Sequence, residues 1–417
     1  MQHIIIGAGP AGVVAAETLR KADPEANITI IGDEPEPPYS RMAIPYYLIN
    51  NIDESGSYLR DPEAHYSNQN IELVQQRVNK VDAAAKQVTL ADGSRRAYDK
   101  LLIATGSRPI SPPIPGLDLP QVSSCWTLAD ARAIIQRAES GSNVVLIGAG
   151  FIGCIILEAL VRRGVKLSVV EMGNRMVPRM LDENAGGLLK QWCIDKGIDV
   201  HTSCSVESIS AADNDQVDVS LSDGGKLSAA LVISATGVKP NTELLDGTGI
   251  EIDQGIKVNR QMQTSNADIY AAGDVAQGVD FSTGNFEVQA IQPTATDHGR
   301  IAALNMAGQG SEHHGTLNMN VLDTLGLISC SFGLWMGVDG GEQAELFNAD
   351  EFQYINLQFE GDHLIGASSV GKTQHIGVLR GLIESKIHLG DWKQRLMENP
   401  TLIMDAYIGC TQELGYS

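Results

Sequence analysis

The sequence predicts an α/β chain with two Rossmann-like dinucleotide-binding domains and a C-terminal α+β domain. Three observations carry that prediction. A glycine-rich turn follows an apolar strand pattern twice, at Gly7 and at Gly148. Each turn is answered further on by a strand ending in Ala-Thr-Gly, at Ala104-Thr105-Gly106 and at Ala235-Thr236-Gly237. From about residue 315 the pattern changes to strands followed by helical periodicity.

A chain of 417 residues has room for two or three domains. It carries 30 Lys and Arg against 51 Asp and Glu, a formal charge of −21. That balance argues against a nucleic-acid or anionic-membrane partner, since both call for a basic face. Six cysteines show no C-x-x-C pair and no metal-ligand spacing, so structural thiols in a reducing compartment are expected. Met1 to Gly7 has no basic leader and runs straight into a strand pattern, which predicts no signal peptide and a cytoplasmic chain. Val144 to Val161 imitates a membrane span, with 18 residues and one charge, Glu158. Its glycines fall at turn spacing, so a buried strand and a buried helix are expected there.

In the first unit, Ile4-Ile5-Ile6 is the strand and Gly7, Gly9, Pro10, Ala11 and Gly12 form the turn and helix start. The first glycine permits the turn, the second lets a pyrophosphate approach the backbone, and the third lets helix and strand pack closely. The helix N-terminus then offers free N–H groups to phosphate. After strand Ile28 to Ile31 come Asp33, 21 residues beyond Gly12, and Glu34. A carboxylate there is expected to accept ribose hydroxyls. The second unit repeats the pattern with Gly148, Gly150, Phe151, Ile152 and Gly153, and Glu171 stands 18 residues beyond Gly153. An acid at this point repels a 2′-phosphate and favours NADH over NADPH. Arg175, four residues on, stands where it would soften that choice.

The proline stretch Pro109 to Gly116 is expected to be an extended linker between the units. Ile269-Tyr270-Ala271-Ala272-Gly273-Asp274 marks a return to the first domain. In the tail, Phe352 to Phe359 and Leu364 to Val370 are expected to be paired strands around the turn at Glu360 to His363, with helices over 374–385 and 391–398.

These residues resemble the two-dinucleotide-domain flavoprotein family, the FAD-dependent pyridine nucleotide reductases. The resemblance assigns the Gly7 loop to FAD and the Gly148 loop to NAD, with Gly237 closing the second unit. It implies that Asp274 meets the ribityl chain and that Ala104, Thr105 and Gly106 close over the FAD. It implies further that Val78 lies by the adenine, Arg41 by the flavin, and Pro293 and Thr294 by the isoalloxazine edge. The corresponding domains are 1–110 and 245–314 for FAD, 111–244 for NAD and 315–417 for an interface domain. The similarity is greatest to ferredoxin and rubredoxin reductases and the flavin portion of nitrite reductases, and it implies a homodimer.

Two departures qualify it. The redox cysteine of coenzyme A-disulfide reductases and NADH peroxidases is replaced by Met42, and a thioether forms neither thiolate nor disulfide. The glutamate usual two residues after the third glycine of the NAD loop is replaced by Ile155; the next acid, Glu158, is expected to turn its carboxylate to solvent.

No catalytic side chain and no metal site are assigned, because the flavin carries the chemistry. The expected activity is NADH oxidation through FAD, with electrons passed to an acceptor such as a rubredoxin- or ferredoxin-type protein. A small molecule or oxygen as acceptor stays open, as does an FAD-binding subunit or sensor with an impaired nicotinamide site. His298 is read either as a flavin neighbour or as a hydrogen-bonded structural residue. Lys372, Lys386, Lys393 and Arg395 are read either as a docking patch for an acidic carrier or as scattered surface charges.

Overall fold

Strand β1 (Gln2–Ile6) buries Ile4, Ile5 and Ile6 on both faces, as a central parallel strand requires. The computed structural model describes residues 1–414. Helix α1 (Pro10–Ala22) opens on a proline, whose fixed φ suits the first helical position, and β2 (Asn27–Gly32) returns parallel to β1. Then follow β3 (Ile71–Gln75) and β4 (Lys100–Ile103). The second glycine turn lies between β5 (Asn143–Ile147) and α2 (Phe151–Arg162), so the membrane-like stretch is the expected buried strand and helix. Next come β6 (Lys166–Glu171), α3 (Glu183–Asp195), β7 (Asp199–Thr202) and β8 (Leu231–Ser234). The chain returns through β9 (Ile269–Ala271) and α4 (Gln292–Met306).

The first sheet has the order β9-β4-β1-β2-β3 and is parallel throughout. The second has the order β7-β6-β5-β8, continued by the short strand Val122–Ser123, and is also parallel. In both sheets the strand that feeds the glycine turn is flanked on either side, so the turn stands at the point where strand order reverses. That is where open α/β sheets present a ligand crevice.

By internal contacts the chain forms two units. One takes Met1–Tyr47, Ile52–Pro109 and Val238–Thr316; the other takes Leu48–Asn51, Ile110–Gly237 and the chain from Leu317. Of the tail segment 315–417, residues 415–417 lie outside the described residues.

The proline stretch departs from the extended linker expected of it. Residues beyond Pro112 fold as successive turns, with Ile114, Leu117 and Leu119 packed against the apolar cluster of Val206, Val217 and Val219. Burying three aliphatic side chains outweighs the extended preference of proline.

The tail is a five-stranded antiparallel sheet with α5 (Ile376–Ser385), α6 (Asp391–Glu398) and α7 (Ile403–Leu414). Its strands are β10 (Met319–Thr324), β11 (Leu327–Gly333), β12 (Glu342–Asn348), β13 (Gln353–Glu360) and β14 (His363–Val370), in the order β10-β11-β14-β13-β12. The β13–β14 pair and helices α5 and α6 match the sequence expectation to within two residues.

Polar bonds within the second unit fix the tail. Tyr354 donates its hydroxyl to Asp182 Oδ2 at 2.5 Å, and Asp182 caps α3 by accepting the Ala185 amide. Trp192 Nε1 donates to Thr324 O at 3.0 Å. Glu158 Oε2 accepts the Leu325 amide at 3.3 Å, and Oε1 pairs with Arg162 at 2.7 Å. Its carboxylate is thus engaged within the unit and does not turn to solvent as the sequence suggested, because the β10–β11 turn covers that face of α2.

Candidate active site

The glycines of the two loops separate by what surrounds them. A Cβ on Gly7, which has φ +116°, would lie 2.0 Å from Ala104 O, and one on Gly148, with φ +97°, 2.6 Å from Ala235 O. The two Ala-Thr-Gly motifs recur for this reason: each lays a carbonyl against the first glycine of its loop. A Cβ on Gly12 would meet Gly7 O at 2.0 Å, and one on Gly153 would meet Gly148 O at 2.2 Å. Gly9 and Gly150 have ordinary φ and nothing within 4 Å of a built Cβ. Nothing in the fold demands a glycine at these two positions. A phosphate approaching the helix N-terminus does, so both loops fit a dinucleotide.

In the second unit the acid belongs to the loop itself. Glu171 Oε2 accepts the Ala149 amide at 2.7 Å and Oε1 accepts the Gly173 amide at 2.7 Å. Val177, at φ +46°, donates its amide to Ala149 O at 2.8 Å. A β-branched residue rarely adopts that backbone, which marks Val177 as a further part of the loop that its sequence does not announce. Arg175 donates to Leu181 O, Asn174 Oδ1 and Pro178 O. Its guanidinium is thus engaged by its own loop. Phe151 and Ile152 form the half-buried first turn of α2, and Ile155 lies one turn on, also half-buried. Gly237, φ +117°, follows β8.

The first unit does not repeat the acid. Ile6 pairs with Ile31 and Ile147 with Val170, so Gly32 holds the place of Glu171. Asp33 and Glu34 come after the strand end. Glu34 accepts the Tyr39 hydroxyl at 2.5 Å and an Arg41 N–H at 2.6 Å. Asp33 is over half exposed and faces Arg77 at 4.0 Å, one residue before the buried Val78.

Arg41 also acts electrostatically on Asp274. Burial raises the Asp274 carboxyl above its usual range, while the Ser107 hydroxyl, donating at 2.8 Å, and Arg41 oppose the rise. Gly106, φ +63°, precedes Ser107. Thr105 and Asn241 clamp each other: the Thr105 hydroxyl donates to Asn241 O at 2.8 Å, and Asn241 Nδ2 donates to Thr105 O at 2.9 Å. Pro293 and Thr294 stand in the first turn of α4, where Ser40 donates to Gln292 Oε1 at 2.7 Å. The first unit thus gathers Glu34, Arg41, Ser107 and Asp274 around the C-terminal ends of its strands. Asn241 had no sequence signal, since its partner is 136 residues away, and neither had the bond of Ser40 to Gln292, which spans 252 residues.

The thiols are sequestered. All six cysteines are free, and all except Cys125 are fully buried. Burial pushes the Cys125, Cys193 and Cys330 thiols up to about 12, and Cys154 is also raised. Met42, which the sequence resemblance sets at the redox-cysteine position, is half-exposed. His298 is buried, with neither ring nitrogen hydrogen-bonded among the described residues, and it stacks edge-on to His313 at 4.8 Å. The hydrogen-bonded structural role considered for it is therefore not seen. Among the tail cations, Lys393 pairs with Glu342 and Arg395 lies over the Trp392 ring at 4.5 Å, so these two are held by their neighbours and form no open patch.

Residues 1–299 match the family described as pyridine nucleotide-disulphide oxidoreductase. The chain is 31% identical over 405 residues to the NADH-dependent phenylglyoxylate dehydrogenase subunit epsilon of Aromatoleum evansii, covering 96% of each. It is 35% identical over 332 residues to an NADH oxidase of Methanocaldococcus jannaschii, with 77% of this chain and 73% of the relative covered. A solved ferredoxin reductase from Rhodopseudomonas palustris superposes with a TM-score of 0.82 at 30% identity, over 89% of this chain and 91% of that one. No described helix is long and apolar enough to cross a membrane. The chain belongs to the pyridine nucleotide-disulphide oxidoreductase family and is an FAD-dependent NADH oxidoreductase.

Proposed function

We propose that this protein carries electrons from NADH through FAD directly to an iron–sulfur acceptor protein, with no thiol relay. One observation carries the reading: the sequence places Met42 at the redox-cysteine position, and burial pushes the Cys125, Cys154, Cys193 and Cys330 thiols up, away from the thiolate that a relay needs. FAD, when bound, supplies the group that takes the hydride of NADH and gives up its electrons one or two at a time. The residues of this chain bind and orient. The Gly7 loop, Arg41, Ser107 and Asp274 hold the flavin nucleotide, with Pro293 and Thr294 at its far end; the Gly148 loop and Glu171 hold NADH. The FAD, NAD and tail domains read from the sequence belong to this proposal.

The relatives lend the acceptor its class. One is named as a subunit of an NADH-dependent dehydrogenase and one solved neighbour as a ferredoxin reductase. The second reading, oxygen or a small molecule as acceptor, is favoured by the charge of −21, which repels an acidic carrier, and by the NADH oxidase relative. We place the protein in the cytoplasm, in line with its six free cysteines, and as a homodimer through the tail, whose edge strands β10 and β12 leave Val321 and Phe347 about half exposed. Sedimentation at micromolar concentration tests the dimer.

The deciding experiment is anaerobic mixing of the purified protein with NADH or NADPH, followed at the flavin absorbance, and then reoxidation by a ferredoxin, a rubredoxin or oxygen. Rapid bleaching by NADH and faster reoxidation by an iron–sulfur protein support the proposal. Equal reoxidation by oxygen alone shifts it to the second reading. No bleaching by either nucleotide overturns both and points to an impaired nicotinamide site at Ile155.

A further inference from the structure

Strand β13 is buried on both faces, and its two faces differ in kind. Ile355, Leu357 and Phe359 make one face apolar, while Tyr354, Asn356 and Gln358 alternate with them on the other. Those three polar side chains form one relay of hydrogen bonds. Gln358 Nε2 donates to Asn356 Oδ1 at 2.9 Å, Asn356 Nδ2 donates to Tyr354 Oη at 3.0 Å, and Tyr354 donates to Asp182 Oδ2 at 2.5 Å. Burial, and then the bond to Asp182, raise the Tyr354 phenol above its ordinary range and keep it a donor. Apolar side chains of like shape could fill that face with little loss of stability. The relay runs in one direction, and it ends on Asp182.

Asp182 closes the loop that starts at Glu171. Its Oδ1 accepts the Ala185 amide at 2.9 Å and so caps α3, whose first turn supports that loop. Asn174 Nδ2 donates to Glu183 Oε1 at 2.8 Å, and Arg175 Nε donates to Leu181 O at 2.8 Å. A Cβ on Gly186 would stand 2.7 Å from Met176 O, so helix and loop are in close contact. Val177, at φ +46°, is pinned from both sides: its amide donates to Ala149 O at 2.8 Å and its carbonyl accepts the Leu181 amide at 3.0 Å. A β-branched residue keeps such a backbone only where its surroundings over-determine it.

We propose that Tyr354 is a positioning residue for NADH, which fixes Asp182 and so holds the loop of residues 171–182 in the form that meets the nucleotide. The tail sheet thereby sets NADH affinity, acting through Asp182. The inference rests on the reading that the Gly148 loop and Glu171 hold NADH. It goes beyond that reading by adding a residue 172 positions from its partner, outside both dinucleotide motifs.

The test uses the purified flavoprotein and follows anaerobic flavin reduction at rising NADH concentration. Tyr354→Phe keeps the ring and removes the proton given to Asp182. It is expected to raise the half-saturating NADH concentration about tenfold, because only molecules with a formed loop bind, and to leave the limiting rate within about twofold of wild type. Asp182→Asn keeps a good helix cap but offers a neutral acceptor, and is expected to shift half-saturation the same way by less. Trp192→Phe removes another bond between the tail and α3, the one to Thr324 O, and controls for a loosened tail. It is expected to lower the melting temperature and leave half-saturation unchanged. The proposal is overturned if Tyr354→Phe leaves half-saturation unchanged while Glu171→Ala raises it, or if Trp192→Phe raises it as much as Tyr354→Phe does. A fall in the limiting rate at unchanged half-saturation also overturns it. Glu171→Ala without effect on NADH overturns the reading of the Gly148 loop, and the role of Tyr354 with it.

Discussion

Glu171 accepts the backbone amide of Ala149 at 2.7 Å, so the acid we propose to confront a nucleotide ribose also holds the loop we propose to receive its phosphates. One substitution should therefore disturb two functions at once.

Glu171→Ala removes a charge-assisted hydrogen bond worth about 1.5–3 kcal/mol. The expected outcome is NADH binding weakened by roughly ten- to a hundredfold, with the preference over NADPH largely lost. Because Arg175 is committed to its own loop, NADPH binding should stay weak in the variant. Stopped-flow titration of flavin reduction with both nucleotides measures this. Retained discrimination against NADPH would mean that Glu171 does not set it.

The middle and third glycines of the second loop should fail in different ways. Gly150→Ala adds a Cβ in open space and should leave thermal stability nearly unchanged while weakening NADH binding. Gly153→Ala drives a Cβ to 2.2 Å from Gly148 O and should destabilise the fold by at least about 1–3 kcal/mol. Thermal melts set beside nucleotide titrations separate the two. Equal loss of stability in both variants would remove the argument that Gly150 is kept for a ligand.

Thiol chemistry should be dispensable. Five buried thiols and a raised Cys125 predict that an alkylating reagent at neutral pH leaves the rate of flavin reduction by NADH unchanged. Mass spectrometry should find Cys125 labelled first. Inhibition that tracks the labelling of any cysteine would contradict a direct flavin-to-acceptor path.

Stability should fall on mild acidification. Burial lowers the pKa of His298 to about 3, from 6.5 for an ordinary histidine, and lowers that of His3 as well. Between those values the unfolded chain binds protons that the folded chain lacks. Stability is thus complete above pH 6.5 and declines below it, by up to about 1.4 kcal/mol per pH unit for each such group. Asp297, held low by its His313 hydrogen bond despite burial, adds its own loss only in the ordinary carboxylate range, around pH 4. Melting temperatures between pH 7 and pH 5 should decline in the wild type and decline less steeply in His298→Leu. Parallel curves would show that His298 is not the titrating group.

Much of the architecture could be read directly from the chain because its signals are local. A run such as Ile4-Ile5-Ile6 followed by Gly7 reports a buried parallel strand and a tight turn within ten residues, and the repeat at Val145 to Gly153 reports it again. The proline stretch misled because its local preference is extended, whereas Ile114, Leu117 and Leu119 gain more by packing on a core formed some 90 residues later.

The site divides along the same line. Sequence alone determined that two dinucleotide loops exist, where their glycines lie, and that acids follow each second strand, since these depend on spacing along one strand–turn–helix. Only the tertiary structure decided what the acids do. Glu171 meets Ala149 because β5 and β6 pair in one register, while Glu34 meets Arg41 because Gly32 fills the equivalent place in the first sheet. Register, and the bonds that cross more than a hundred residues to Asn241 and Gln292, are properties of the packed chain, and no spacing along the sequence encodes them.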